Sequence, residues 1–186
     1  MKKTLPLQKL LFSLSIFGLL CLAACKKDNY SLPPETQNGA NTFGCKIDGK
    51  VWVPKGTDYN SGQNVTAYYQ HIYSGQEGFV FRVSATNYEK KPLEYFSIVL
   101  DSSKIQTGIS YTIRNGYKGE FYAAYWIGSS QAKSFYVKEP LKGSIVFHKF
   151  DENNKIASGL FEFDAVNSYG ELIHVTEGRF DVKFTR

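Results

Sequence analysis

A chain of 186 residues with 14 Phe, 13 Tyr and 2 Trp has room for one sizeable domain with an aromatic core. Its formal net charge of +5 is thinly spread. The tight basic pairs, Lys26-Lys27 beside Asp28 and Lys90-Lys91 between Glu89 and Glu94, do not make the clustered basic face that a nucleic-acid partner requires, and none is expected.

The chain opens with Met1-Lys2-Lys3 and Lys9, then an apolar run from Leu10 to Ala24 that ends in Leu22-Ala23-Ala24-Cys25. A charged start, a short apolar stretch and small residues at the cut are the layout of a secretory signal peptide. The run is short of the ~20 residues that span a bilayer, and Ser13, Ser15 and Gly18 dilute it. Leu-Ala-Ala-Cys resembles the bacterial lipobox. That resemblance implies a diacylglyceryl group on Cys25, cleavage before it, and loss of residues 1–24. The rival is a plain signal peptide in which Cys25 is incidental. Two acyl chains give stable membrane anchoring where one does not. With Lys2, Lys3 and Lys9 removed, the net charge falls from +5 to +2, so the basic balance belongs mainly to the leader. Cys21 leaves with the leader and Cys25 is acylated. Cys45 then stands alone, with no disulfide partner, and its alternation with Phe43 and Ile47 reads as a small core residue.

Residues 25–40 are polar, contain Pro33-Pro34 and lack an apolar period, so they are expected to form a lipidated, flexible tether. Residues 41–186 are expected to form one all-β domain, an antiparallel sandwich or flattened barrel of about ten strands. The expected strands are 42–47, 50–54, 65–73, 79–87, 93–101, 109–114, 120–127, 134–138, 143–150, 156–166 and 172–184. Turn signals separate them, Ser74-Gly75 and Asn115-Gly116 among them, with Asp48-Gly49 the clearest hairpin. Phe79, Phe81, Val83 and Ala85 share one face, and Phe180, Val182 and Phe184 alternate with Arg179, Asp181 and Lys183. One apolar and one polar face per strand is the pattern of sheets that cover a single core. The expected core includes Phe43, Trp52, Phe81, Phe121, Phe147, Phe161, Phe163 and Phe180. Trp52 next to Pro54 suits an edge strand, and Gly178 inside a long strand suggests a bulge.

The segment Asn41–Pro54, with Thr42-Phe43-Gly44-Cys45-Lys46-Ile47-Asp48-Gly49-Lys50-Val51-Trp52-Val53-Pro54 as its body, resembles the opening motif of a group of uncharacterised Bacteroidetes lipoproteins. Ser158–Phe163 and Thr176–Val182, the latter containing Gly178-Arg179-Phe180-Asp181-Val182, are similar to that group's closing motif. The resemblance covers both ends of the domain and leaves 60–142 unmatched. It implies a lipid-anchored, β-rich protein of the envelope, at the outer membrane, and carries no activity with it. Surface-displayed lipoproteins of that phylum tend to carry several acids after the cysteine. Lys26-Lys27-Asp28 offers one, which leaves the periplasmic and surface faces both open.

Chemistry-bearing patterns are sparse. His71, His148 and His174 fall in no metal-ligand motif, and neither a Gly-x-Ser-x-Gly elbow nor a phosphate-cradling glycine loop is present, so no cofactor or metal is expected. Glu162 and Asp164 lie two apart on one strand face, a pairing that invites a glycan hydrolase. A solvated charge ladder with Arg179 and Lys183 is the plainer account. The segments Ala67-Tyr68-Tyr69, Phe121–Trp126 and Phe135-Tyr136 place aromatics on both faces of their strands. One face is core. The other, with Tyr68, Tyr122, Trp126 and Tyr136, is either further filling of a barrel interior or a ligand platform for a glycan or envelope protein. The sequence therefore favours a non-catalytic binding or interaction module over an enzyme.

Overall fold

The computed structural model describes residues 30–60, 62–72, 78–101, 104–114, 121–128 and 133–186. The leader, Cys25 and the residues up to Asn29 lie outside the described residues. So do the expected turns at Ser74-Gly75 and Asn115-Gly116. Ser31–Arg186 forms a compact unit.

Eleven strands are described: β1 (Thr42–Ile47), β2 (Lys50–Trp52), β3 (Val65–Ile72), β4 (Gly78–Asn87), β5 (Glu94–Asp101), β6 (Ser110–Ile113), β7 (Phe121–Ile127), β8 (Ser134–Tyr136), β9 (Gly143–Asp151), β10 (Ile156–Val166) and β11 (Leu172–Lys183). They pair in the order β2-β1-β11-β10-β9-β6-β7-β5-β4-β3, with β8 joined to both β7 and β10. The sheet folds over on itself. Phe81 of β4 packs against Phe147 of β9 and Phe180 of β11, with ring centroids 5.3 and 6.3 Å apart. One leaf is therefore β2-β1-β11-β10-β9-β6 and the other β7-β5-β4-β3, an all-β sandwich rather than a regular barrel.

The pairing is not wholly antiparallel. β6 and β7 meet in parallel at the single pair Ile113↔Phe121. Thr185 bridges Tyr68 in parallel, with the Tyr69 amide donating to the Thr185 carbonyl. Both contacts fall where a strand of one leaf meets the other leaf. Strand direction there is set by the route of the chain between leaves, which no hairpin governs.

The core follows the period-2 alternation. Phe43, Trp52, Phe81, Phe121, Phe147, Phe161, Phe163 and Phe180 are all buried. Cys45 is among them, and burial pushes its thiol well above the ordinary value. β2 lies at one end of the strand order, as expected of an edge strand, pairing with β1 and ending before Pro54. The expected bulge lies at Thr176-Glu177, just before Gly178. Phe161 faces Gly178 and Phe163 faces Val175, so two residues of β11 oppose Glu162 alone. Glu177 takes φ 51° there, and a Cβ on Gly178 would come within 2.4 Å of the Phe161 ring. Close approach of that ring is why glycine occupies the position.

Residues 31–40 correct the expectation of a flexible tether over 25–40. They belong to the folded unit. The Asp181 carboxylate, 1% exposed, accepts hydrogen bonds from Thr36 Oγ1 at 2.6 Å and from the amides of Asn38, Gly39 and Ala40 at 3.0, 2.7 and 3.2 Å. Pro33 sits on Gly44, where a Cβ would meet its ring at 2.7 Å. Polar composition hid this docking because the strap is held by backbone N–H groups, which carry no sequence signature of their own.

Candidate functional site

The two outer faces of the sandwich differ in chemistry. On the β9-β10-β11-β1 face stand charges in alternation. Asp164 meets His174 Nδ1 at 2.7 Å, Lys46 pairs with Glu177, and Arg179 lies 3.4 Å from Glu35. Glu162 and Asp164 line open depressions on this face, together with residues such as Ser144 and Lys142. The expected ladder partners are corrected by the register of β10 on β11. Arg179 faces Leu160 and Lys183 faces Ile156, while Asp164 faces His174. Asp164 is thus held by a histidine, and Glu162 stands exposed at the bulge.

His71, His148 and His174 belong to β3, β9 and β11. Among the described residues, no group of three His, Cys, Asp or Glu side chains is placed to hold a metal ion. Asp151 accepts from the Asn153 and Asn154 amides and fixes the β9–β10 turn.

The β3-β4-β5-β7 face is aromatic. Register aligns Tyr68, Arg82, Val99 and Tyr122 in one row across the four strands. The next row runs Thr66, Ser84, Ser97, Ala124 and Tyr136, and the third runs Thr86, Tyr95, Trp126 and Ser134. At a strand spacing of about 4.8 Å, the Tyr68–Tyr122 row is about 14 Å long. Small residues make the floor. Ser84, Ser97 and Ala124 face outward yet are at most 6% exposed, because the larger side chains around them shade them. Tyr68, Tyr122, Trp126 and Tyr136 are half-buried and stand outside the core cluster. These four aromatics do not fill an interior. They form a layer on the outside of one leaf.

That layer is fixed by its own hydrogen bonds. Trp126 Nε1 donates to the Tyr136 hydroxyl at 2.9 Å, and the Trp126 and Tyr136 rings are edge-to-face. Tyr95 stacks obliquely on Trp126 at 5.0 Å, and its hydroxyl donates to Ser84 Oγ at 2.8 Å. Ser84 Oγ lies 3.4 Å from Ser97 Oγ. Rings tied down in this way lose little freedom when something binds on them. The Arg82 guanidinium carbon lies 5.5 Å from the Tyr68 ring centroid, and Arg82 Nε is buried with no hydrogen-bond partner. Burial pushes the Tyr122 phenol above its ordinary value, while the nearby Arg82 charge pulls the other way. Tyr122 is accordingly a neutral hydroxyl at physiological pH.

The sequence placed Tyr68, Tyr122, Trp126 and Tyr136 on this layer and the structure brings them together. It did not single out Tyr95 or Arg82. Tyr95 falls in a strand with Phe96, and only the register across β4 and β7 shows that it braces Trp126. For Arg82 a signal was available: a lone cation amid Phe79-Val80-Phe81 and Val83.

Searches of protein-family models, curated proteins and solved structures each return no match to this chain. The site is therefore read from its own geometry.

Proposed function

We propose that this chain is a lipid-anchored binding module of the bacterial envelope, held at the outer membrane through Cys25 and carrying its ligand on the aromatic face of the β3-β4-β5-β7 leaf. The anchor rests on the lipobox residues and on the resemblance to Bacteroidetes lipoproteins at both ends of the domain. The binding role rests on one observation above all: a braced layer of Tyr68, Tyr95, Tyr122, Trp126 and Tyr136 outside a core that is already complete without it. Aromatic surface beyond the needs of the core is what a recognition face provides. The partner is a glycan or an envelope protein. A hydrolase built on Glu162 and Asp164 has no comparable support, since Asp164 is engaged by His174 and both stand on open sheet.

Glycan-array and envelope-protein pull-down measurements on wild type and on a Tyr122→Ala/Trp126→Ala variant test the binding role. Wild type is expected to retain a ligand and the variant to lose it. Undiminished binding by the variant overturns the aromatic-face reading. Intact-mass analysis of membrane-extracted protein tests the anchor, and an unmodified Cys25 would refute it.

A further inference from the structure

The strap is fastened by the main chain on both sides of one peptide bond, that between Asn38 and Gly39. The Asn38 and Ala40 amides donate to Asp181 Oδ2 at 3.0 and 3.2 Å, and the Gly39 amide between them donates to Oδ1 at 2.7 Å. Docking demands glycine at 39. It takes φ 75° there, and a Cβ on it would come within 2.7 Å of Lys183 Cγ. The residue before it is an exposed asparagine. An Asn-Gly pair carries chemistry of its own, because a glycine nitrogen, with no Cβ beside it, is free to attack the asparagine Cγ. The glycine that docking requires is thus the residue that makes Asn38 reactive, and docking itself decides whether the reaction runs.

We infer that Asn38-Gly39 is a modification site gated by the strap: Asn38 deamidates when this end of the strap opens, and the isoaspartate product no longer docks. The Gly39 nitrogen gives up its proton to water and bonds to Asn38 Cγ. The Cγ–Nδ2 bond breaks, and Nδ2 takes up a proton and leaves as ammonia, with a succinimide ring left behind. Water then opens the ring, giving aspartate at 38 or isoaspartate, whose main chain runs through Cγ. One water is consumed and one ammonia released, with no change of oxidation state. Docking blocks the first step in two ways. The Gly39 N–H is shared with a carboxylate that is 1% exposed, so loss of its proton would set a second anion against Asp181 away from water. The nitrogen must also turn from Oδ1 to reach Cγ, and its neighbours are tied to the same carboxylate, so that turn breaks the fastening. Opening therefore gates the chemistry as it gates amide exchange. Return is closed by geometry. Isoaspartate adds a carbon to the main chain between the Asn38 and Gly39 amides, so these amides no longer bracket one carboxylate, and it brings a negative charge beside Asp181.

Peptide mapping by mass spectrometry, following Asn38 in the full-length protein at mildly alkaline pH, native and in urea, tests this. Deamidation at Asn38 is expected to be about a hundredfold slower in native protein than in urea, since a strap held on a buried carboxylate is seldom open. Thr36→Ala removes one bond to Asp181 and leaves the amides of Asn38, Gly39 and Ala40 in place, and it is expected to quicken the native rate about tenfold. Asp181→Ala is expected to bring the native rate close to the urea rate. A native wild-type rate equal to that in urea, or Thr36→Ala and Asp181→Ala proteins that both deamidate as slowly as wild type, overturns the inference. Amide hydrogen exchange of the isolated isoaspartate form tests the return. Gly39 and Ala40 are expected to lose protection, and protected amides there would overturn the one-way step. The comparison of native protein with urea needs no variant, so it holds even if Asp181→Ala fails to fold.

Discussion

Replacing Asp181 by alanine is expected to release the Asn38–Ala40 end of the strap and to cost the domain about 3 kcal/mol. The carboxylate is buried and accepts four hydrogen bonds, from Thr36 Oγ1 and from three consecutive amides, Asn38 to Ala40. At about 1.5 kcal/mol for each bond to a charged acceptor, the gross loss is about 6 kcal/mol. Release of the three residues whose amides are held, Asn38 to Ala40, regains backbone entropy of about 1 kcal/mol each, which offsets about half of it. Urea unfolding followed by tryptophan fluorescence measures the midpoint, and amide hydrogen exchange reads Asn38, Gly39 and Ala40 directly. A stability change under about 1 kcal/mol, or undiminished protection of those three amides, would refute the reasoning. The same carboxylate makes stability depend on acid. Desolvation by burial raises its pKa, but the bonds from Thr36, Gly39, Asn38 and Ala40 outweigh that and hold it below the ordinary carboxylate range. A group whose pKa is depressed on folding contributes stability that is fully present above the unfolded value, about 3.9, and lost as pH falls through the folded one. Wild type is therefore expected to lose stability below about pH 4 more steeply than Asp181→Ala.

Cys45 is expected to resist a thiol reagent such as DTNB in the native protein and to react only on unfolding, because burial keeps it a neutral thiol inside the core; rapid labelling of native protein would contradict its placement. Gly178→Ala is expected to lower stability by about 2 kcal/mol, since the new methyl would press on the Phe161 ring and carbonyl, and an unchanged urea midpoint would show that the bulge yields. Lys155→Gly is expected to raise stability by roughly 0.5–1 kcal/mol, because Lys155 holds φ 57° in the exposed β9–β10 turn; a fall in the thermal midpoint would count against strain there.

Alternation and turn residues sufficed for an all-β domain of about this many strands, while the choice of sandwich over barrel came from the strand order. Strands fell where apolar residues recur every second position, and Phe43, Phe81, Phe147 and Phe180 went inward because period 2 sends alternate side chains to one side. The same rule separated Tyr68 from Tyr69 and Tyr122 from Phe121, so most of the aromatic face was visible before any coordinates. Alternation is a property of one strand, and it says nothing about which strand lies beside it. Only the tertiary structure could show that Tyr95 braces Trp126 and that Arg82 lies beside Tyr68, residues 31 and 14 positions apart in sequence, because cross-strand register joins them. The docking of 31–40 escaped for a related reason. Asp181 reads as an outward polar residue of β11, and outward it is. It becomes buried when a remote stretch of backbone is laid over it, an event written in amide geometry and not in side-chain pattern. The bulge at Glu177 had a sequence sign in Gly178, yet its effect, setting Asp164 opposite His174 in place of Val175, depended on a one-residue slip that only pairing reveals.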